Sequence, residues 1–234
     1  NGCKYFSETP NIIINNSVVG MNFHNSIGFK NNNIVIFNGI DTKKFSLNNQ
    51  FRNQFRNQFN IAKDAKVLLC VGRVDPMKDH DTLLEAFKKI KKKFSSSVLI
   101  LAGLGTENIN KTNGLISLGD CQYIDHVYSA CDIIISSSAF GEGFSNALAE
   151  GMSSSLIPIA TDVGDAKHIV GNTGKIIKPK KVFELYSAIK DLLELDEQNF
   201  IANKILAKNR INKNFNQLRM FTSYEEVYNK LLEE

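Results

Sequence analysis

The sequence predicts an α/β fold, a doubly wound parallel sheet of Rossmann-like type. Three observations carry this. Apolar runs of strand length recur from residue 66 onward, they alternate with amphipathic helical patterns, and three of them are closed by a glycine. Unbroken apolar strands are those buried on both faces, as in a parallel sheet covered by helices on either side. Ligands of such folds bind at the carboxyl ends of the strands.

Taken in order, Ile12–Ile14 and Ile34–Phe37 read as strands, with Ser17 capping a helix between them. Phe51, Phe55 and Phe59 fall four residues apart and form the core-facing stripe of a short helix. Lys66–Val71 is a Val- and Leu-rich strand closed by Gly72. His80–Phe94 follows as a helix with Leu83, Leu84, Phe87, Ile90 and Phe94 on one face and Lys88–Lys93 on the solvated one. Val98–Ala102 and Leu115–Leu118 are strands, with no helix expected between them. Tyr123–Ala130 is a short helix, Asp132–Ser136 a strand, Phe144–Met152 a helix and Leu156–Ala160 a strand. Asp165–Val170 is a helical turn and Gly174–Ile177 the last strand. From Val182 the chain is helical, with breaks near Asp196 and Asn214–Asn216.

Composition narrows the function. The 234 residues, 43% of them hydrophobic, suffice for a sizeable core. No apolar run reaches the roughly 18 residues of a membrane span. Asn1–Pro10 lacks the basic and apolar regions of a secretory signal. The four cysteines form no C-x-x-C pair, as expected of reduced thiols in a cytoplasmic protein. The scattered histidines suggest no metal site, so no metal or other cofactor is expected. A net charge of +4 is too weak to imply nucleic acid, though it suits an anionic ligand or an acidic membrane surface.

Chemistry concentrates in loops that leave the strands. Gly72-Arg73-Val74-Asp75-Pro76-Met77-Lys78 joins a strand to a helix. Its glycine permits close backbone approach, and its two cations at a helix N-terminus suit a phosphate or diphosphate. Gly141 through Glu150 runs from the next loop into a helix. Glu142 lies in the loop and Glu150 about two turns further on, where a carboxylate can accept bonds from sugar hydroxyls. The amides of Gly143, Phe144 and Ser145 are free to face an anion. Ala102-Gly103-Leu104-Gly105 reads as a simple turn. Asp79-His80-Asp81 formally spells D-x-D, but helix capping explains it better.

Together these stretches resemble the C-terminal half of GT-B-fold glycosyltransferases of the retaining family four, the glycosyl transferases group 1. Val35-Ile36-Phe37-Asn38-Gly39-Ile40-Asp41 with Phe45 is similar to that family's interdomain linker. Val71–His80 is similar to its G-R-x-x-x-x-K loop, Ser138–Glu150 to its paired-glutamate motif, and Ile159–Asp165 with Ile169-Val170 to its closing segment. The resemblance implies transfer of a sugar, with retention, from a UDP- or GDP-sugar. The implied acceptor is a glycan or lipid-linked sugar, in cell-surface polysaccharide, lipopolysaccharide or glycolipid assembly. The implied place is the cytoplasm, with peripheral contact at the inner face of the membrane. Arg73 and Lys78, with Gly72, would bind the donor diphosphate and Glu142 the sugar. Gly143, Phe144 and Ser145 would lie near both, Glu150 would bond the ribose, and Asp120 and Cys121 would lie beside the base. Arg73, Lys78 and Glu142 would form the catalytic set.

The sequence departs from that pattern in four places. The segment Gly105–Gly114 is short and lacks the helix the family carries between the strands ending at Ala102 and beginning at Leu115, which bears on the base pocket. Asp165, Lys167 and His168 stand where the family usually carries Gly-Gly and a Glu, although a G-D variant occurs among polysaccharide-assembly members. Gly151 replaces the usual Ala, at a helix cost of about 1 kcal/mol. Residues 1–33 resemble only a remnant of the acceptor domain. Residues 34–215 would be the nucleotide-sugar-binding domain, and 216–234 a helix that packs on the acceptor domain. Transfer would then require more than this chain. The alternatives are a non-catalytic nucleotide-sugar-binding module or inactive fragment, and an epimerase, whose acid/base set is not evident.

Overall fold

Val67–Val71 forms the strand about which the sheet is built, because its two faces supply the two halves of the core. Leu68 and Cys70 face one side and Val67 and Leu69 the other, all essentially inaccessible. The structure, a computed structural model, describes residues 2–30 and 32–233. Asn1, Asn31 and Glu234 fall within the expected segments 1–33 and 216–234 but lie outside the described residues.

In chain order the elements are α1 (Gly2–Tyr5), β1 (Ile12–Asn15), α2 (Val18–Ser26), β2 (Asn32–Val35) and α3 (Asn49–Gln58). Next come β3 (Val67–Val71), α4 (His80–Lys93), β4 (Val98–Ala102), β5 (Leu115–Ser117), α5 (Ile124–Ala130) and β6 (Ile133–Ser136). The rest are α6 (Asn146–Ser153), β7 (Ile157–Thr161), α7 (Ala166–Val170), β8 (Lys175–Ile177), α8 (Val182–Leu193), α9 (Glu197–Asn214) and α10 (Gln217–Glu233). A single 3₁₀ turn at Thr106–Asn108 is all that separates β4 from β5, as expected.

Among the described residues six strands form one parallel sheet in the order β5-β4-β3-β6-β7-β8. The Rossmann-like α/β class is therefore as read. The chain leaves β3 toward one edge and returns to β6 on the other side of it. The switch point lies at the carboxyl ends of β3 and β6, where such folds leave a crevice. β1 and β2 form a separate two-stranded parallel sheet. β2 begins two residues before the expected Ile34 and ends at Val35, since Ile36 onward is drawn into the linker.

The linker explains its own motif. Ile40 bridges Asn216, donating to Phe215 and accepting from Gln217. A side chain at Gly39 would meet the Gln217 Cα at 2.6 Å, so only glycine lets the two chain segments cross. Asp41 accepts from Lys43 and Lys44 N–H (both 3.0 Å) and closes the next turn. Phe45 is buried edge-on against Tyr128.

At the opposite, amino end of the sheet, α3 supplies more than a phenylalanine stripe. Phe55 is buried and Phe51 stacks on His126, but Arg52 and Arg56 occupy the same face one turn apart. Both reach Asp132 at 2.8 Å, and Lys204 adds a third cation at 3.2 Å. Arg56, itself buried, also donates to four backbone carbonyls. Desolvation pushes the Asp132 carboxyl up, but Lys204, Arg52 and Arg56 outweigh it and hold it below the ordinary aspartate range.

Candidate functional site

The loop after β3 is built against the loop after β4. Gly72 N–H donates to Ala102 O and Val74 N–H to Leu104 O, both at 2.8 Å, so strand pairing continues past the strand ends. Gly103 has φ +138°, and a Cβ there would run into the Gly72 carbonyl. Ala102–Gly105 is thus no simple turn: it lets the Gly72–Lys78 loop fold over the sheet edge.

Within that loop Arg73 is mostly exposed. Its Nε and Nη2 lie 3.2 and 3.1 Å from one oxygen of Asp75, whose other oxygen accepts from Met77 N–H at 2.9 Å. The Met77 N–H, aided by Arg73, holds the Asp75 carboxyl below the usual range. Lys78 points the other way, toward the loop after β6. Its Nζ lies 2.5 Å from Glu142 Oε1, which also accepts from Ser138 Oγ at 2.6 Å. Ala139 N–H donates to Met77 O, and Ser137 Oγ to Lys78 O. The two loops that flank the switch point are therefore laced together, with Lys78 and Glu142 half-buried between them.

Glu142, Gly143 and Phe144 precede α6, which begins at Asn146 rather than at Phe144, with Ser145 at the N-cap position but making no side-chain cap bond. Gly143, Phe144 and Ser145 N–H donate to no acceptor among the described residues. Lys78 and Ser145 line a small cavity of about 10 Å³ beneath the loops. Glu150 is the fifth residue of α6, a little over one turn in, not two.

Glu150 lies away from Lys78. It accepts from the Tyr128 hydroxyl at 3.0 Å and faces a polar cleft of about 540 Å³ with Asn38, Asp41, Lys44 and Asn146. Burial pushes its carboxyl above the ordinary range, and Tyr128 and Lys44 offset this in part. Burial, then Glu150 itself, raises the Tyr128 hydroxyl well above a free tyrosine. Asn38 of the linker donates to Asn146 at 2.9 Å, joining the linker to the start of α6.

Asp120 is exposed and Cys121 partly buried on the core, in a loop pinned by Gly103 N–H to Gly119 O and Gly119 N–H to Thr106 Oγ1. Asp79 accepts from Thr82 N–H and its hydroxyl, which is capping. His80 is buried with neither ring nitrogen partnered. Among the described residues no group of three or more His, Cys, Asp or Glu could hold a metal ion.

The structure thus joins Lys78 to Glu142, sets Arg73 on the rim, and gives Glu150 its own cleft. Sequence reasoning missed Asp75, Tyr128 and Ser138. The serine run Ser136–Ser138, directly after an apolar strand, was the signal for the last; a tyrosine amid apolar helix residues was the signal for Tyr128.

The description "Glycosyl transferases group 1" fits residues 51–210, well over half the chain. An uncharacterized glycosyltransferase of Methanocaldococcus jannaschii is 26% identical over 212 residues, 85% of this chain and 53% of that protein. A Campylobacter jejuni N-acetylgalactosamine-N,N'-diacetylbacillosaminyl-diphospho-undecaprenol 4-alpha-N-acetylgalactosaminyltransferase is 27% identical over 150 residues, 59% of this chain and 40% of its own length. The chain therefore spans about half the length, or less, of these relatives. Among solved structures, Anabaena HepE in complex with UDP superposes with a TM-score of 0.86 at 21% identity, covering 96% of this chain and 65% of that one. The same Anabaena protein has been solved with UDP-glucose. Sheet order, switch-point loops and family match converge: the chain belongs to the glycosyl transferases group 1 family and has the Rossmann-like fold of GT-B glycosyltransferases.

Proposed function

We propose that the chain is the donor-binding half of a retaining hexosyltransferase that uses a nucleotide-diphosphate sugar. The observation that carries this is the Lys78–Glu142 pair at the switch point, with Arg73 on its rim. A departing nucleoside diphosphate gains negative charge as the glycosidic bond breaks. Arg73, Lys78 and the unengaged N–H groups at the start of α6 are cationic or dipolar donors able to meet that charge without a metal. Glu142 would contact the sugar and Glu150 the ribose, with the base beside Asp120 and Cys121. The UDP and UDP-glucose held by the Anabaena protein support a UDP-sugar over a GDP-sugar.

The acceptor in this reading is a glycan or lipid-linked sugar of cell-surface polysaccharide, lipopolysaccharide or glycolipid assembly, in keeping with the activity named for the Campylobacter relative. The reading puts the reaction in the cytoplasm at the inner membrane face. The four free cysteines are compatible with that, and no described helix is long and apolar enough to cross a membrane.

A thermal-shift titration with UDP, GDP and ADP tests the donor site. At least one nucleotide should raise the melting temperature, and Arg73→Ala and Lys78→Ala should each abolish most of the rise. No shift with any nucleotide, or full shifts in both variants, sinks the assignment.

A further inference from the structure

Asp165 is buried, only 3% exposed, and among the described residues its carboxylate forms no ion pair. Its two oxygens accept instead from Val18 N–H at 2.7 Å and Val19 N–H at 3.1 Å, the first amides of α2, nearly 150 residues away. Ser17 caps the same helix, its hydroxyl accepting from Gly20 N–H at 3.0 Å. One helix start thus receives a local cap and a distant carboxylate, which complements its positive end.

The backbone of the same residue grips the glutamate loop. Asp165 N–H donates to Gly143 O at 3.0 Å. Gly164 has φ +60°, and a Cβ there would meet the Glu142 carbonyl oxygen at 2.5 Å, so the two backbones lie in direct contact. Ser17 closes the triangle, since a Cβ on Gly143 would come within 3.1 Å of its hydroxyl. The Asn16–Ser17 turn, the Glu142–Gly143 loop and Asp165 therefore form one packed unit.

We propose that Asp165 is a positioning residue: it clamps the Asn16–Ser17 turn over the Glu142–Gly143 loop and so sets where Glu142 meets the donor sugar. This rests on the donor-site reading above. It makes the N-terminal segment a wall of the sugar subsite while leaving the diphosphate contacts of Arg73 and Lys78 alone. Glu142 is held from both sides, by Lys78 and Ser138 on its side chain and by Asp165 behind its backbone. Loss of the carboxylate leaves the Asp165 N–H bond to Gly143 in place and frees the Asn16–Ser17 turn that packs against Gly143.

The test is calorimetric titration of the full chain with UDP, GDP and ADP and with the glucose ester of each. Asp165→Ala should weaken the glucose ester of the bound nucleotide about tenfold, while the nucleotide itself stays within about twofold. Asp165→Asn keeps the volume and one acceptor oxygen, so it should fall between and covers the case in which the alanine variant does not fold. Ser17→Ala should shift the ester affinity the same way. Equal weakening of nucleotide and ester, or no weakening of either, overturns the positioning role and leaves the donor site standing. If wild type binds no nucleotide and no ester, the donor-site reading falls and this proposal with it.

Discussion

Lys78 Nζ and Glu142 Oε1 lie 2.5 Å apart, one from each loop at the switch point of the sheet. The ammonium thus already has an anion, and a diphosphate must displace it. Glu142→Gln removes the charge of this resident competitor while keeping the acceptor for Ser138. Nucleoside diphosphate affinity should rise, by up to about tenfold, while any extra affinity conferred by the sugar is lost. Calorimetry with the diphosphate and its sugar ester reads both effects. Weaker diphosphate binding in the variant would show that Glu142 orients Lys78 rather than competing for it.

Glu150 presents the opposite balance. Its carboxyl is raised above the ordinary 4.5, chiefly by burial. A raised acid contributes stability that is complete below its unfolded value and is lost as pH climbs through the folded one. At neutral pH the charge therefore opposes folding. Glu150→Gln keeps an acceptor for Tyr128, so its melting temperature at pH 7 should exceed that of wild type, with the gap closing toward pH 4. The same variant should bind nucleoside diphosphate less well. A gain over wild type no larger at pH 7 than at pH 4 would count against this account of the site.

Asp132 sits among Arg52, Arg56 and Lys204, so its neutralisation leaves buried cations behind. Removing one partner of a buried ionic cluster costs about 3–5 kcal/mol. Asp132→Asn should lower stability by that order in urea unfolding without altering the ligand crevice at the other sheet end. The Asp132 carboxyl is held below 3.8. Its contribution is therefore present above that value and lost as pH falls through the folded one. Wild type should lose stability steeply below pH 4, and the asparagine variant should lose less over the same window.

What the sequence disclosed follows from what patterning encodes. Val67–Val71 and Ile133–Ser136 were legible because unbroken apolar runs allow few environments, and Gly72 after the first of them marked the ligand edge. The roles of Arg52 and Arg56 were not legible. They share the spacing of the phenylalanine stripe, and their partner Asp132 lies some 80 residues on. The Asn38 and Gly39 motif was recognised by resemblance, but its cause, the crossing with residues 216–217, exists only in the folded chain. Asp165 read as a departure from a pattern; its two partners belong to a helix whose start was correctly placed at Ser17.

Gly151 lies mid-helix in α6, where alanine would gain about 1 kcal/mol in propensity. The packing opposes it. A Cβ there would come within 2.9 Å of both Cβ and Cγ1 of Ile134, with Cγ2 at 3.2 Å. Ile134 cannot retreat: its strand is paired on both sides, with Leu69 and with Pro158, and a β-branched side chain has little rotamer freedom. Overpacking of this kind costs about 1–3 kcal/mol. Gly151→Ala should therefore destabilise the chain in urea unfolding despite its better helix propensity. In an Ile134→Ala background the γ carbons are gone while the Cβ contact at 2.9 Å remains, so the same substitution should cost less than in wild type. A double-mutant cycle with no coupling between the two positions would show that α6 is not held this close to the sheet.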